Sequence, residues 1–498
     1  MDDIALTMSN CWPLNVRLRA SACAVALAIL SLEGCMVGPD YVRPTAPTPA
    51  AYKESADWKV AQPSDVVPRG SWWEGFGDPD LDALEVQVDI SNQTIQAAEA
   101  SVRVAQAATQ AARAALFPVV SGNAAALRSS RAGGTGSGGI SSSGGTNTGS
   151  VSNSYNLALD ASWEIDLWGG IRRSIEASTT TAQATEADLA AARLSAQALL
   201  AEDYLLLRVE DAQINLLHDT VAAYQRSLDL TTNQYKSGIV ARGDVAQAEA
   251  QLKATQAQVL DAQITRAQLE HAIAVLVGKP PADLTITPKP LIAVFPQIPV
   301  AVPSTLLERR PDIAAAERHT ASANAQIGVA QAAFFPSLSL SAAGGFQNSA
   351  IGSLLSLPSR YWSLGPALAQ TIFDAGLRSA QKSEAIATYD QNVANYRSTV
   401  LSGFQDVEDN LAALDLLAQE AVVQDEAVKS SREAVTIVLN QYKAGTANYL
   451  AVVVLQASAL NNERNALGIL GRRFTASVGL IKAVGGGWDA SALAEASK

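Results

Sequence analysis

The sequence is poor in residues that do chemistry. Its three histidines (His218, His271, His319) and three cysteines (Cys11, Cys23, Cys35) lie far apart in 498 residues, with no CxxC and no metal-ligand spacing, so thiol redox and metal catalysis have little to build on. GxSxG, P-loop and HExxH motifs are all missing. No enzyme activity, cofactor or metal is therefore expected. Charged residues make up only 17%, and acidic residues outnumber basic ones 48 to 36, for a net charge of −12. Such a balance disfavours nucleic acid or an anionic lipid surface held by bulk charge. Hydrophobic residues reach 48%, so disorder is excluded as well.

The N-terminus accounts for the cysteines. Arg17 and Arg19 precede an apolar run from Ala20 to Leu32, too short to span a bilayer but suited to a signal-peptide core. The run closes on Glu33-Gly34-Cys35. A cysteine behind a small residue at this place resembles a bacterial lipobox, in which the thiol is acylated (palmitate being one such chain) and the preceding peptide bond cut. Glu33 departs from that pattern, where a small or neutral residue is usual. Residues 1–34 are expected to leave as a lipoprotein signal peptide, with Cys35 lipidated; an ordinary signal peptide cut nearby is the alternative. The resemblance to bacterial lipoproteins also implies that Met36, standing where Asp would retain the product, leaves it free to reach the outer membrane.

The remainder is two copies of one plan. Gln234-Tyr235-Lys236-Ser237-Gly238 returns as Gln441-Tyr442-Lys443-Ala444-Gly445, Gly170-Ile171-Arg172 as Gly376-Leu377-Arg378, and Phe117-Pro118 as Phe335-Pro336. Self-similarity of this kind decides architecture. Between the Phe-Pro and Gly-x-Arg landmarks the first copy is longer. Its insert, Gly133 to Ser150, holds eight Gly and five Ser among eighteen residues and reads as an external loop.

Each half contains a long stretch without proline, rich in helix formers. Leu200, Leu207, Ile214, Val221, Leu228 and Tyr235 recur every seven residues; so do Val400, Val407, Leu414, Ala421, Val428, Val435 and Tyr442. That period means left-handed coiling against neighbouring helices. Helices over about 171–237 and 377–444 would each be roughly 100 Å long, ended by Gly238 and Gly445. Partner helices at about 243–277 and 448–481 complete two antiparallel hairpins.

Before each long helix the period changes to two. Tyr155, Leu157, Leu159, Ala161, Trp163 and Ile165 alternate with Asn156, Ala158, Asp160, Ser162, Glu164 and Asp166; Leu338, Leu340 and Ala342 alternate with serines; Trp362, Leu364, Pro366 and Leu368 alternate with smaller or polar neighbours. Strands are expected at about 119–127, 154–166, 337–346 and 361–373. Their length and single greasy face suit a bilayer crossed at a tilt, with Phe117, Trp163, Trp168, Phe335, Tyr361 and Trp362 as an interfacial girdle and the three acidic residues as an acidic lumen. Four strands cannot close a membrane barrel, because open edges leave backbone groups unpaired in lipid. Several copies must share one, two giving eight strands and three giving twelve.

With these features in place, the chain resembles the TolC-like outer membrane factors, and within them the lipoprotein efflux branch often labelled NodT. The resemblance rests on Gly34-Cys35-Met36-Val37-Gly38-Pro39-Asp40-Tyr41, Trp72-Trp73, Phe76-Gly77-Asp78-Pro79, Leu306-Leu307-Glu308-Arg309-Arg310-Pro311-Asp312-Ile313 and Gly485-Gly486-Gly487-Trp488, and it covers nearly the whole mature chain. It implies a homotrimer: a twelve-stranded barrel in the outer membrane continued by a twelve-helix tunnel through the periplasm. It implies docking to a periplasmic adaptor and, through it, to an inner-membrane pump. The expected division is signal peptide 1–34, extended N-terminal segment 35–80, first repeat 81–279, Pro-rich linker 280–311, second repeat 312–484 and C-terminal tail 485–498.

The function so implied is the exit duct of a tripartite efflux system, conducting small toxic compounds passively. The alternatives are an exit duct for type I peptide or protein secretion, and a coiled-coil lipoprotein with no pore, in which amphipathic strands would serve no purpose. Family gates link a tyrosine near the end of the second long helix to an aspartate just after the first turn; the matching positions are Tyr442 and Asp244. Here the sequence departs from better-known exporters, since Ala451 and Val454 stand where constricting aspartates would be and Ala447 where a gate arginine would be. The apolar tip (Tyr449, Leu450, Val452, Val453, Val454) suggests closure by sterics and dewetting.

Overall fold

The structure is a computed structural model, described here for residues 36–54, 71–131, 150–296, 298 and 309–487. The expected signal peptide, Cys35, nearly all of the Gly/Ser-rich insert, Leu306 to Glu308 and the tail from Trp488 lie outside the described residues. Among those described are helices α1 (Pro79–Ser91), α2 (Gln93–Ala114), α3 (Gly170–Lys236), α4 (Arg242–Leu276), α5 (Pro311–Ala332), α6 (Leu377–Lys443) and α7 (Tyr449–Ala483), with strands β1 (Val119–Arg131), β2 (Ser150–Ile165), β3 (Ser337–Asn348) and β4 (Arg360–Ala369). None of these helices is long and apolar enough to cross a membrane. Contacts divide the chain into two units: 1–42, 106–180 and 321–391 form one, the remainder the other.

The first unit contains a four-stranded antiparallel sheet in the order β1-β2-β3-β4. Its register makes one face apolar over the half nearest the long helices, with Arg128, Asn153, Asn348 and Arg360 on that face only toward the far end. Leu157, Leu159, Ala161, Trp163 and Ile165 stand opposite Phe346, Gly344, Ala342, Leu340 and Leu338, and the last four of these oppose Trp362, Leu364, Pro366 and Leu368. Directly paired residues share a face. The other face carries Ser121 and Asn123, Asn156, Asp160, Ser162 and Glu164, then Ser341, Ser339 and Ser337. Pro366 falls on β4, an edge strand within the chain, where a missing donor is tolerated. Two expectations are corrected. Tyr361 opposes Gly345 on the polar face and donates to Asn156 Oδ1 at 3.2 Å, so it is no member of an apolar girdle. Asp166 lies beyond β2: its carboxylate accepts from the backbone N–H groups of Ile171 and Arg172 and pairs with the Arg172 guanidinium at 3.1 Å. It caps α3 rather than adding net charge to the polar face. The second repeat uses Asp374 and Arg378 in the same way at the start of α6, where the guanidinium holds the Asp374 carboxyl below the usual carboxylate range.

The second unit packs around the Trp72-Trp73 landmark. A 3-10 turn at Trp72–Phe76 breaks the segment expected to be extended; its three aromatics are buried, and Gly77, at φ 67°, turns the chain into α1. Asp78 then caps α1, with Pro79 at the first helical position. Asn92 both ends α1 and starts α2: its Oδ1 accepts from the Thr94 and Ile95 N–H groups while its Nδ2 donates to Leu276 O. Phe295 of the linker stacks on Phe474 at 4.9 Å, and the Arg473 guanidinium lies 4.3 Å from the Phe295 ring centroid. A buried polar network joins Arg208, Asp211 and Arg266, and Arg208 and Arg266 donate to the linker carbonyls of Thr287 and Ile286. The long helices keep the expected seven-residue seam: in α3 Leu200 and Leu207 are fully buried, but beyond them the most buried column is Leu217, Tyr224 and Thr231, whereas Ile214, Val221 and Leu228 are half-buried and Tyr235 is 41% exposed. His218, His271 and His319 are all exposed.

Candidate functional site

Each hairpin turn is built by a helix stop in which a glycine takes positive φ. Gly238 (φ 75°) donates to Tyr235 O and Ile239 to Gln234 O; Gly445 (φ 74°) donates to Tyr442 O and Thr446 to Gln441 O. These are the paired bonds of a Schellman cap. Asn448 opens α7 by accepting from Ala451 N at 3.0 Å. Identical stops therefore bring the end of α6 and the start of α7 to the end of α3 and the start of α4.

Tyr442 and Tyr449 meet there with ring centroids 5.4 Å apart, packed with Ala248, Val438 and Val452. The Tyr442 hydroxyl lies 3.2 Å from Thr231 Oγ1 of α3; Thr231, rather than the expected Asp244, is its hydrogen-bond partner. Asp244 sits half-buried in the first turn of α4. Burial raises the Tyr442 phenol, and the Asp244 charge adds to this. Burial, then the neighbouring Tyr442, Tyr224 and Asp244, push Tyr449 up to about 12. Both are uncharged donors at neutral pH. Of the apolar tip residues, Tyr449 and Val452 belong to this packed cluster, while Leu450 and Val454, one turn apart, are 53% and 57% exposed. Ala447 and Ala451 pack against the cluster from its edge.

The first unit offers a concavity of about 510 Å³ where the polar sheet face meets α2, α3 and α5, with Glu164, Ser174, Ser337 and Gln370 among its lining. Close by, the chain from Met36 onward is held by side chains. Val37 N donates to Trp168 O at 3.0 Å, Arg173 donates to the carbonyls of Val37 and Gly38 and to Asp40, and Asn324 donates to Pro39 O. Gly38, at φ 104°, lies so close to Gly328 that a Cβ would come within 2.5 Å of its backbone. Trp168 stacks on Phe335 at 4.7 Å and donates to Pro336 O. Sequence reasoning missed Thr231 and Arg173. Thr231 could have been found as a heptad column three positions on from the apolar one; for Arg173 the sequence carries no local signal.

The family model described as outer membrane efflux protein matches residues 86–279 and 302–486. TtgC of Pseudomonas putida, named a probable efflux pump outer membrane protein, is 30% identical over 94% of this chain and 96% of its own length. OpmQ of Pseudomonas aeruginosa, named a pyoverdine export outer membrane protein, is 30% identical over 89% and 93%. The solved structure of the outer-membrane channel OprN is 31% identical, covering 91% of this chain and all of that one with a TM-score of 0.82. The duplicated hairpins, the amphipathic sheet and these matches together establish that the chain belongs to the outer membrane efflux protein family.

Proposed function

We propose that the protein is the outer membrane exit duct of a tripartite efflux system, a homotrimer passing small toxic compounds outward from a periplasmic adaptor and an inner-membrane pump. The observation that carries this reading is the sheet. From Leu157 to Ile165 its one face is apolar across all four strands, its other face is mostly polar, and among the described residues β1 and β4 each have one unpaired edge. Unpaired edges cost several kcal/mol per group in lipid; three copies pair them all in a barrel of twelve strands, whose polar lumen conducts without a catalytic group. Purified protein should run as a heat-modifiable oligomer and give single-channel currents in planar bilayers. A monomer without currents would refute the duct.

The anchor reading places the acyl chains on Cys35. Met36, the first described residue after it, packs against Gly169. Labelling with tritiated palmitate, lost in Cys35→Ser, tests it. Closure at the hairpin turns is assigned to the Tyr442–Tyr449 cluster and to Leu450 and Val454, which would meet their copies across the duct as a hydrophobic constriction. Cargo belongs to the pump: relatives equally similar to this chain are named for toluene, antibiotic and pyoverdine export. Deletion followed by a panel of toxic-compound susceptibilities identifies it.

A further inference from the structure

Thr231 is fully buried on α3, and its Oγ1 has two neighbours: the carbonyl of Ser227 at 2.9 Å and the Tyr442 hydroxyl at 3.2 Å. A threonine has one hydroxyl proton. Because the Ser227 carbonyl can only accept, that proton is committed to it. Thr231 therefore meets Tyr442 through a lone pair, and the phenol is the donor. Tyr442 also has a single proton; given to Thr231, it is not available to a carboxylate. The titratable groups facing Tyr442 are Asp244 of α4 and Tyr449 of α7, the latter in turn facing Tyr224 of α3, and the bond itself joins two neutral groups. One turn earlier on α3, Ser227 Oγ accepts from Gln456 Nε2 of α7 at 3.3 Å. Two hydroxyl residues one helical turn apart thus tie α3 to both helices of the second hairpin.

We propose that Thr231 is the positioning residue of the closed tip: its hydroxyl, fixed by Ser227, orients the Tyr442 phenol and locks α6 to α3 through a neutral hydroxyl pair. The inference rests on the reading of the hairpin turns as the gate and adds the identity of the latch partner. A neutral latch has no carboxylate to protonate, so closure is expected to persist through the pH range in which aspartates titrate.

The test is open-channel frequency of the full-length, processed protein in planar bilayers, for wild type, Thr231→Val, Thr231→Ser, Tyr442→Phe, the Thr231→Val/Tyr442→Phe double variant and Asp244→Asn. Thr231→Val and Tyr442→Phe should each raise opening at least tenfold, since each of the three copies loses one buried hydrogen bond. The double variant should open no more than either, Thr231→Ser should stay closed, and Asp244→Asn should resemble wild type. Wild-type opening should be flat from neutral pH to below the aspartate range. Opening by Tyr442→Phe and Asp244→Asn but not by Thr231→Val would overturn the proposal and leave the gate standing. No response to any variant would remove the gate with it. Should Thr231→Val fail to assemble, comparing Asp244→Asn with Tyr442→Phe still decides: equal opening by both refutes the neutral latch.

Discussion

Replacing Arg173 by Met tests whether side chains seat the N-terminal segment. Arg173 is 1% exposed and makes three contacts to that segment: the carbonyls of Val37 and Gly38, both at 3.3 Å, and Asp40 at 2.9 Å. Its bond to Glu176 at 2.8 Å stays within α3 and holds nothing else. The Asp40 side chain is 92% exposed, so that ion pair is worth at most about 1 kcal/mol. Charge-assisted bonds to carbonyls are worth about 1.5–3 kcal/mol at good geometry, and at this length roughly 1 kcal/mol each is reasonable. The sum, roughly 2–3 kcal/mol, corresponds to a release about 30- to 150-fold more frequent. Methionine keeps the apolar stem against Gly328, so packing should change little. The Val37 N–H, bonded to Trp168 O, reports the release directly: its hydrogen exchange in detergent-solubilised protein should accelerate by that factor, while amides in the middle of α3 stay as in wild type. Unchanged exchange at Val37 would mean that the anchor or the Asn324 bond alone positions the segment.

Three further outcomes concern α1, the sheet and the hairpin tip. Glu85 is completely buried on α1 and neither carboxyl oxygen has a hydrogen-bond partner among the described residues; burial, then Asp89 and Asp82, push it from 4.5 up to about 9. A raised acid favours folding fully below pH 4.5 and loses that contribution as pH climbs toward 9, so Glu85→Gln should melt like wild type in acid and progressively higher than wild type in alkali; a gap independent of pH refutes this. Leu159→Lys puts a charge on the apolar sheet face, at a cost of about 2–4 kcal/mol per copy near the bilayer midplane, and should deplete the protein from outer membranes, whereas Ser341→Lys on the polar face should insert normally. Val454→Asp should create block by trivalent cations that the wild-type channel lacks; block of the wild type to the same degree would contradict an apolar constriction.

What could be read from the sequence, and what could not, divides by the range of the physics. A seven-residue period repeated over 67 residues in α3 and in α6, and a two-residue period repeated across four strands, are signals summed over many side chains; one exception such as Pro366 leaves them intact. Single polar residues carry no such redundancy. Asp166 continues the alternation of β2, yet the strand stops at Ile165 and the Asp166 carboxylate goes to two N–H groups and Arg172 at the start of α3; alternation cannot see where a strand stops. Tyr361 follows the strand period faithfully, and its aromatic ring suggested a girdle only because residue type was weighed above register. Thr231 shows the same limit from the other side. It occupies a core column of the seam with Leu217 and Tyr224, but an apolar search skips a hydroxyl, and the resemblance supplied an aspartate instead. The partner of Tyr442 is fixed by which α3 residue the seam brings opposite it, a choice among neighbouring positions of one helix that only side-chain geometry makes. A closure held by such a pair can differ between members of one family while the hairpins that carry it stay the same.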